Sequence, residues 1–147
     1  MSKTISLFHV VFATKNREAT LDMNKSEMLH RFIWMLLKEK KCYLYRVNSM
    51  PEHVHMFFDL HPSYSLSETV RDIKARSSNW MMSKKVSPIF KGWARGYYAA
   101  SKSIENRDMV IDYVKNQQVH HVKHNFEDEI RELYKRNRLE WHDDDMR

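Results

Sequence analysis

Two histidines with one residue between them are the strongest candidates for chemistry in this chain. In the segment Met50–Leu60, strand alternation would place His53 and His55 on one face and apolar side chains on the other. Two neutral imidazoles at this spacing can bind one divalent ion at about 2.0–2.1 Å if a third ligand comes from elsewhere in the fold. Alone, the motif is more typical of partly exposed histidines on the wet face of a half-buried strand, because the chain contains nine histidines.

A phenol and an amide at helical spacing provide a second candidate group. Tyr113 and Gln117 are four residues apart and would share one face of a helix. If the amide oxygen of Gln117 binds the ion, Tyr113 lies about one helical turn, ~5–6 Å, from it. The alternative is that Tyr113 packs at the edge of the core and Gln117 is solvated.

Composition limits the class of protein that carries these residues. The 147 residues are enough for one domain with a core, and 25 Lys and Arg against 19 Asp and Glu give a formal net charge of +6. This charge is compatible with a polyanionic partner. The single cysteine, Cys42, cannot form an internal disulfide, so we expect a reducing cytoplasm. The apolar run Ile5–Ala13 is too short to cross a bilayer and lacks a signal-peptide pattern.

The pattern of the first half predicts elements that would position the histidines. Ile5–Ala13 is typical of a buried strand, and a helix is predicted from about Asn24, capped by that residue, to the cations ending at Lys41. Two further strands, Cys42–Ser49 and His53–Leu60, are separated by a short turn and should form an antiparallel hairpin.

The second half predicts the elements that would complete the site. Ser65 and Glu68 form a capping box that opens a second helix. Tyr97–Ser101 is a short strand, and Ser103 is a plausible cap for a third helix that extends to about Gln118. The order βαββαβ plus a helix predicts an α+β, ferredoxin-like sandwich with an antiparallel sheet and a C-terminal tyrosine-bearing helix.

In these features the chain resembles HUH-type single-tyrosine transposases of small bacterial insertion sequences, including the REP-associated tyrosine transposases. The resemblance covers nearly the whole length. It is carried by the following segments: Phe8–Lys15, Met50–His55, Lys74–Ser78, Trp93–Tyr98 and Tyr113–Gln117. Many relatives have Asp or Asn before the histidine pair, where this chain has Glu52.

The resemblance implies an activity, a cofactor and partners. Tyr113 would be the nucleophile, and His53, His55 and Gln117 would hold Mg²⁺ or Mn²⁺. Single-stranded DNA with hairpins would be cleaved and rejoined through a 5′-phosphotyrosine link by a homodimer. Because two nitrogens and an amide oxygen are less typical of Mg²⁺ than of Mn²⁺, the physiological metal stays open.

Basic residues are the candidates for contacts with DNA phosphates. For each of them a solvated surface charge is an equal alternative. These candidates are Lys15, Arg17, Arg46, Lys74 and Arg76. His120, His121 and His124 are interpreted as surface histidines near a helix end rather than as a second metal site.

The whole chain, residues 1–147, is interpreted as one HUH domain with a C-terminal helical tail from about 125 to 147. An amphipathic stripe of Phe126, Ile130 and Leu133 should pack this tail on the body or on a partner subunit, and the acidic residues Asp143–Asp145 should be a frayed end. Two other functions stay open. One is a non-catalytic, domesticated protein that binds hairpin DNA, and the other is a metal-dependent hydrolase in which Tyr113 is structural.

Overall fold

The computed structural model describes residues 2–119 and 125–147, and it contains four strands and four α-helices with defined bounds in those ranges. His120, His121 and His124 lie outside the described residues. The elements in chain order are β1 Leu7–Ala13, α1 Ser26–Glu39, β2 Tyr43–Met50, β3 His53–Asp59, α2 Leu66–Ser83, β4 Tyr98–Lys102, α3 Arg107–Lys115 and α4 Phe126–Arg136.

The four strands form one antiparallel sheet with the order β2-β3-β1-β4. Strands β2 and β3 form the predicted hairpin, whereas β1 lies between β3 and β4, so α1 and α2 are crossover connections. The predicted ferredoxin-like α+β sandwich is therefore confirmed. Each predicted strand agrees with the structure to within two residues.

The two faces of the sheet have different partners. Helices α1 and α2 pack on one face, where alternate residues of β1 and β3 such as Val10, Phe12 and Met56 form the main core. Helices α3 and α4 cover the opposite face, on which Val11 and Phe57 lie. Because side chains alternate along β3, His53 and His55 belong to this second face.

Two of the three predicted helix starts differ from the structure. Ser65 caps α2 as predicted, because its Oγ accepts a hydrogen bond from the backbone N–H of Glu68 at 3.1 Å. Asn24 is not the cap of α1. Its backbone N–H donates to Asp22 in a 3-10 turn that precedes the helix. Ser103 makes no side-chain cap, and a 3-10 turn at Ile104–Asn106 delays α3 to Arg107.

The C-terminal segment packs on the body of the molecule. The stripe of Phe126, Ile130 and Leu133 is buried against the second face of the sheet, as the amphipathic pattern predicted. The prediction of a frayed acidic end is wrong, because Arg17 Nη2 donates to the backbone carbonyls of Asp143 at 2.8 Å and Asp145 at 2.9 Å. Within the described ranges, every helix falls short of the length and apolarity that crossing a bilayer requires.

Candidate metal and nucleophile site

His53 and His55 lie side by side beneath the helices of the second face. Their ring centroids are 4.9 Å apart, and both residues are 0% exposed. The alternative of two partly exposed histidines is therefore wrong. Sequence alternation predicted their common face correctly, but the cover above that face comes from α3 and α4, which the alternation does not report.

Each of the two histidines has a partner at Nδ1 that fixes its ring. His53 Nδ1 lies 2.8 Å from the carboxylate of Glu52, and His55 Nδ1 lies 2.8 Å from His9 Nε2. Hydrogen bonds of this kind, at the ring nitrogen opposite the metal, set the tautomer and orientation of a metal-binding imidazole. Both Nε2 atoms consequently face α4, because each Nδ1 is engaged on the side of the sheet.

A carboxylate that sequence reasoning missed lies against both Nε2 atoms. Glu129 Oε1 on α4 is 3.1 Å from His55 Nε2 and 3.5 Å from His53 Nε2, and the side chain is 4% exposed. A signal was present in the sequence, since Glu129 falls at helical spacing between Phe126 and Leu133 on the apolar stripe of the tail. A charged residue on a buried stripe needs a polar partner.

The proton equilibria of the cluster follow from this burial. Burial alone raises the pKa of Glu129, but hydrogen bonds from His53 and His55 outweigh it and hold that pKa far below its usual range. Burial alone lowers the pKa of His53, and its contacts with Glu129 and Glu52 reverse the sign and raise it. Burial and then the charge of His55 lower the pKa of His9 well below its ordinary value.

Tyr113 on α3 brings a phenol to the same place. Its ring centroid is 5.8 Å from that of His55 and 5.7 Å from that of His9, each with edge geometry. The hydroxyl is hydrogen-bonded to Gln117 and to Glu129, and burial followed by the charge of Glu129 raises the pKa of Tyr113 well above its ordinary value. The phenol is therefore protonated in this arrangement.

Gln117 lies one turn beyond Tyr113 and is 0% exposed. Its Nε2 donates to the backbone carbonyl of Tyr113 at 3.2 Å, while no described residue provides a hydrogen bond to its buried Oε1. The alternative of a solvated Gln117 is wrong. A buried amide oxygen that lacks a hydrogen bond is a suitable ligand for a hard cation.

The site as a whole fits a divalent metal. His53, His55 and Glu129 each offer a ligand atom, and these atoms all lie within 4.8 Å of one another. Two neutral imidazoles and a carboxylate suit Mn²⁺, Fe²⁺ or Zn²⁺, and the two oxygen donors available from Glu129 and Gln117 also suit Mg²⁺.

Asn48 on β2 holds the C-terminal end of α3. Its Nδ2 donates to the carbonyl of Val114 at 3.0 Å, and it exchanges hydrogen bonds with the amide of Gln118 at 2.9 and 2.8 Å. Asn48 is buried and pairs with His55 in the sheet register. It therefore ties the helix of Tyr113 and Gln117 to the strand next to the histidines.

A cavity of about 130 Å³ opens beside the phenol. His9 and Tyr113 line it together with the cations Lys102 and Arg136. Burial and then the charge of Arg136 lower the pKa of Lys102. The sequence analysis does not single out these two cations, because Lys102 lies between two serines and Arg136 belongs to the tail that is expected to pack on the body or on a partner subunit.

Two of the predicted DNA-binding residues are engaged within the protein. Arg17 Nη1 forms a 3.0 Å ion pair with Glu127 of α4, and its side chain is 10% exposed. Lys74 Nζ donates to the carbonyls of Ala94 at 2.7 Å and Gly96 at 2.8 Å. Contacts of either residue with DNA would have to replace or extend these bonds.

The other three predicted DNA-binding residues are exposed. Lys15 lies just after β1, and Arg46 lies on β2 at one edge of the sheet. Arg76 on α2 pairs with Glu39 at 2.7 Å. The structure does not bring these five basic residues together into one cluster with the histidines, and their role in DNA binding stays a prediction.

Comparison with known families identifies the class of protein. The profile of the family described as "Transposase IS200 like" matches residues 3–117. The chain belongs to the IS200-like transposase family. The family match includes His53, His55, Tyr113 and Gln117, whereas Glu129 lies beyond its end.

Individual relatives agree with this transposase family. The chain is 26% identical over 115 residues to the transposases for insertion sequence element IS200 of Salmonella typhimurium and Salmonella typhi, covering 75% of each chain. Membership therefore connects the chain with DNA transposition and DNA binding.

Solved structures show the same fold. A protein of Deinococcus radiodurans R1 described as a transposase aligns with a TM-score of 0.60 at 21% identity, over 80% of this chain and 95% of that one. A REP-associated tyrosine transposase bound to a REP hairpin also aligns with a TM-score of 0.60, at 18% identity over 82% and 74% of the two chains.

Proposed function

We propose that this chain cleaves and rejoins single-stranded DNA at the ends of an insertion sequence, with Tyr113 as the nucleophile. The observation that carries the proposal is the edge contact of the Tyr113 ring with His55, with ring centroids 5.8 Å apart. A nucleophile must stand beside the groups that stabilise its reaction partner. Membership in the transposase family supports the reaction class.

The chemistry of Tyr113 is a phosphoryl transfer. Its Oη forms a bond to the scissile phosphorus, the bond from phosphorus to the 3′ oxygen breaks, and the phenolic proton ends on the released 3′ hydroxyl. The products are a 5′-phosphotyrosine link and a free 3′ end, so a later 3′ hydroxyl can reverse the step and join strands. The raised pKa of Tyr113 means that the phenol needs activation.

His53, His55 and Gln117 would hold Mg²⁺ or Mn²⁺ in this reaction. The orientation of both Nε2 atoms and the buried Oε1 of Gln117 support this assignment. A bound divalent ion supplies positive charge that stabilises the negative charge developing on the phosphate. Glu52 and His9 would keep the two imidazoles in position for the ion.

The DNA substrate is proposed to be an unpaired strand that carries a hairpin. An unpaired strand exposes its backbone to a recessed site, which a duplex does not. The relative bound to a REP hairpin supports this substrate class. The proposed contacts with DNA phosphates are Lys15, Arg17, Arg46, Lys74 and Arg76. Two further cations, Lys102 and Arg136, line the cavity beside the phenol. The location in the cytoplasm and the assembly as a homodimer stay predictions.

One assay separates this function from its alternatives. The protein is incubated with labelled single-stranded DNA hairpins and Mn²⁺, and a covalent adduct that resists denaturant is sought. We expect the adduct in the unchanged protein and its loss in Tyr113→Phe and His55→Ala. Tyr134→Phe is the matched control, because Tyr134 is a tyrosine that packs on the same second face of the sheet as Tyr113.

The alternatives predict different outcomes in the same assay. A domesticated hairpin-binding protein would retard the DNA without an adduct. A metal-dependent hydrolase would produce cut ends without an adduct, and Tyr113→Phe would leave its cleavage unchanged. Either result would contradict the proposed phosphotyrosine mechanism.

A further inference from the structure

Glu129 contacts three of the residues that the proposed reaction uses, His53, His55 and Tyr113. Its Oε1 lies 3.1 Å from His55 Nε2 and 3.5 Å from His53 Nε2, and the Tyr113 hydroxyl is hydrogen-bonded to the same carboxylate. Two histidines and a nucleophile are also the groups that a scissile phosphate must approach. The carboxylate thus stands in the place of an anionic substrate.

The distances around Glu129 match a coordination sphere. Ligand atoms bound to one ion at about 2.1 Å are separated by about 3.0 Å at a right angle and about 3.4 Å at a tetrahedral angle. The separation of 3.1 Å falls in this range, and that of 3.5 Å lies just above it. A carboxylate is also a stronger ligand for a cation than the neutral amide of Gln117, because it carries a full charge.

Helix α4 closes the site from above. Phe126 stacks on His53 with ring centroids 4.0 Å apart and an angle of 14°, and Ile130 and Leu133 pack on the sheet beside it. Both histidines are 0% exposed in consequence. A DNA phosphate cannot reach their Nε2 atoms while α4 is docked in this position.

The docked helix is also tied at the surface. Arg17 forms an ion pair with Glu127 at 3.0 Å and donates hydrogen bonds to two backbone carbonyls of the C-terminal segment. Its guanidinium also lies over the ring of Trp141, 5.1 Å from the ring centroid. These contacts are polar, and although the Arg17 side chain is 10% exposed, that of Glu127 is 43% exposed, so water can take the place of Arg17 there at lower cost than in the apolar core.

We propose that Glu129 is a protein ligand of the divalent ion in the DNA-free protein, and that the DNA phosphate displaces it when α4 leaves the sheet. The ion then fastens α4 over Tyr113 until DNA competes for it. Gln117 remains beside the nucleophile in both states, because it follows α3 rather than α4. This inference rests on the proposed function for its second half only.

Metal titration of the DNA-free, full-length protein tests the first half. We expect Glu129→Gln and Glu129→Ala to weaken Mn²⁺ binding by more than about tenfold in calorimetry, since each removes the only anionic ligand of the described cluster. Glu132→Gln is the matched control, because Glu132 is exposed on the same helix. Equal Mn²⁺ affinity in Glu129→Gln, Glu132→Gln and the unchanged protein would overturn the assignment.

Adduct formation at saturating Mn²⁺ tests the displacement. We expect Glu129→Ala to form the Tyr113 adduct with a hairpin strand several-fold faster than the unchanged protein, because no ligand has to leave. A rate that falls in Glu129→Ala would show that Glu129 is a permanent ligand and would overturn the displacement. If no variant forms an adduct, the proposed function fails, whereas the metal titration still decides the role of Glu129. Circular dichroism of each variant verifies folding.

Discussion

The Nε2 of His9 on β1 lies 2.8 Å from the Nδ1 of His55 on β3, and the two rings stack with centroids 5.1 Å apart. The contact is possible because His9 pairs with Phe57 in the sheet register, which makes His55 its diagonal neighbour on the same face. One ring donates and the other accepts, so His9 determines which nitrogen of His55 faces Glu129.

Replacing His9 should therefore weaken metal binding without touching a ligand. We expect His9→Phe to reduce Mn²⁺ affinity by about 10–100-fold, the usual effect of removing a hydrogen-bond partner of a metal-binding imidazole. His9→Gln should restore most of the affinity, because its amide can occupy the position of Nε2. If Phe and Gln variants bind Mn²⁺ equally well, His9 acts through packing alone.

Loss of Asn48 should loosen the tyrosine helix. Asn48→Ala leaves the carbonyl of Val114 and the amide of Gln118 without their partner, so we expect the free energy of unfolding to fall by about 1–3 kcal/mol in urea titrations. Gln118→Ala should cost less, since Gln118 is exposed. The double variant should lose less free energy of unfolding than the sum of the losses in the two single variants. Strict additivity of these losses would contradict an interaction between Asn48 and Gln118.

Arg17→Ala should release the C-terminal segment. The substitution removes the ion pair with Glu127 and two hydrogen bonds to backbone carbonyls. We expect faster hydrogen exchange and faster proteolysis within residues 125–147, while the sheet keeps its protection. Lys15→Ala is the control, because Lys15 is an exposed basic residue near the same end of β1. Equal exchange in both variants would refute the role of Arg17 as a tie.

The stability of the fold should depend on the protonation of His30. Burial, followed by the charge of Arg46, lowers the pKa of His30 to about 4, and its Nε2 lies 2.8 Å from Ser49 Oγ. The unfolded chain binds the proton at higher pH than the folded chain. The contribution of neutral His30 to the free energy of unfolding should therefore be fully present above about pH 6.5 and decline as pH falls toward 4.

His30→Gln isolates this contribution, because the amide can keep the bond to Ser49 but does not titrate. We expect the decline between about pH 6.5 and 4 to be shallower in the variant than in the unchanged protein, with similar values above about pH 7. Urea unfolding at several pH values measures both curves. Parallel curves across this interval would exclude His30 as the titrating group.

Sequence patterns predicted the structure reliably wherever a local repeat decides the answer. Alternation along β3 placed His53 and His55 on one face, and helical spacing placed Tyr113 and Gln117 together, because backbone geometry fixes both periods. The hairpin and the order of elements then led to the observed sheet. Helix starts were less predictable, since Asp22 and a 3-10 turn replaced the expected caps.

Local patterns by themselves thus determined which residues could do chemistry and which of them share a face. Tertiary structure alone decided that this face is buried, that Glu129 from the tail meets both imidazoles, and that His9 orients one of them. The contact between His9 and His55 spans 46 positions of the chain, and that between His55 and Glu129 spans 74. No local period reports such contacts, because they depend on which elements pack together on the second face of the sheet.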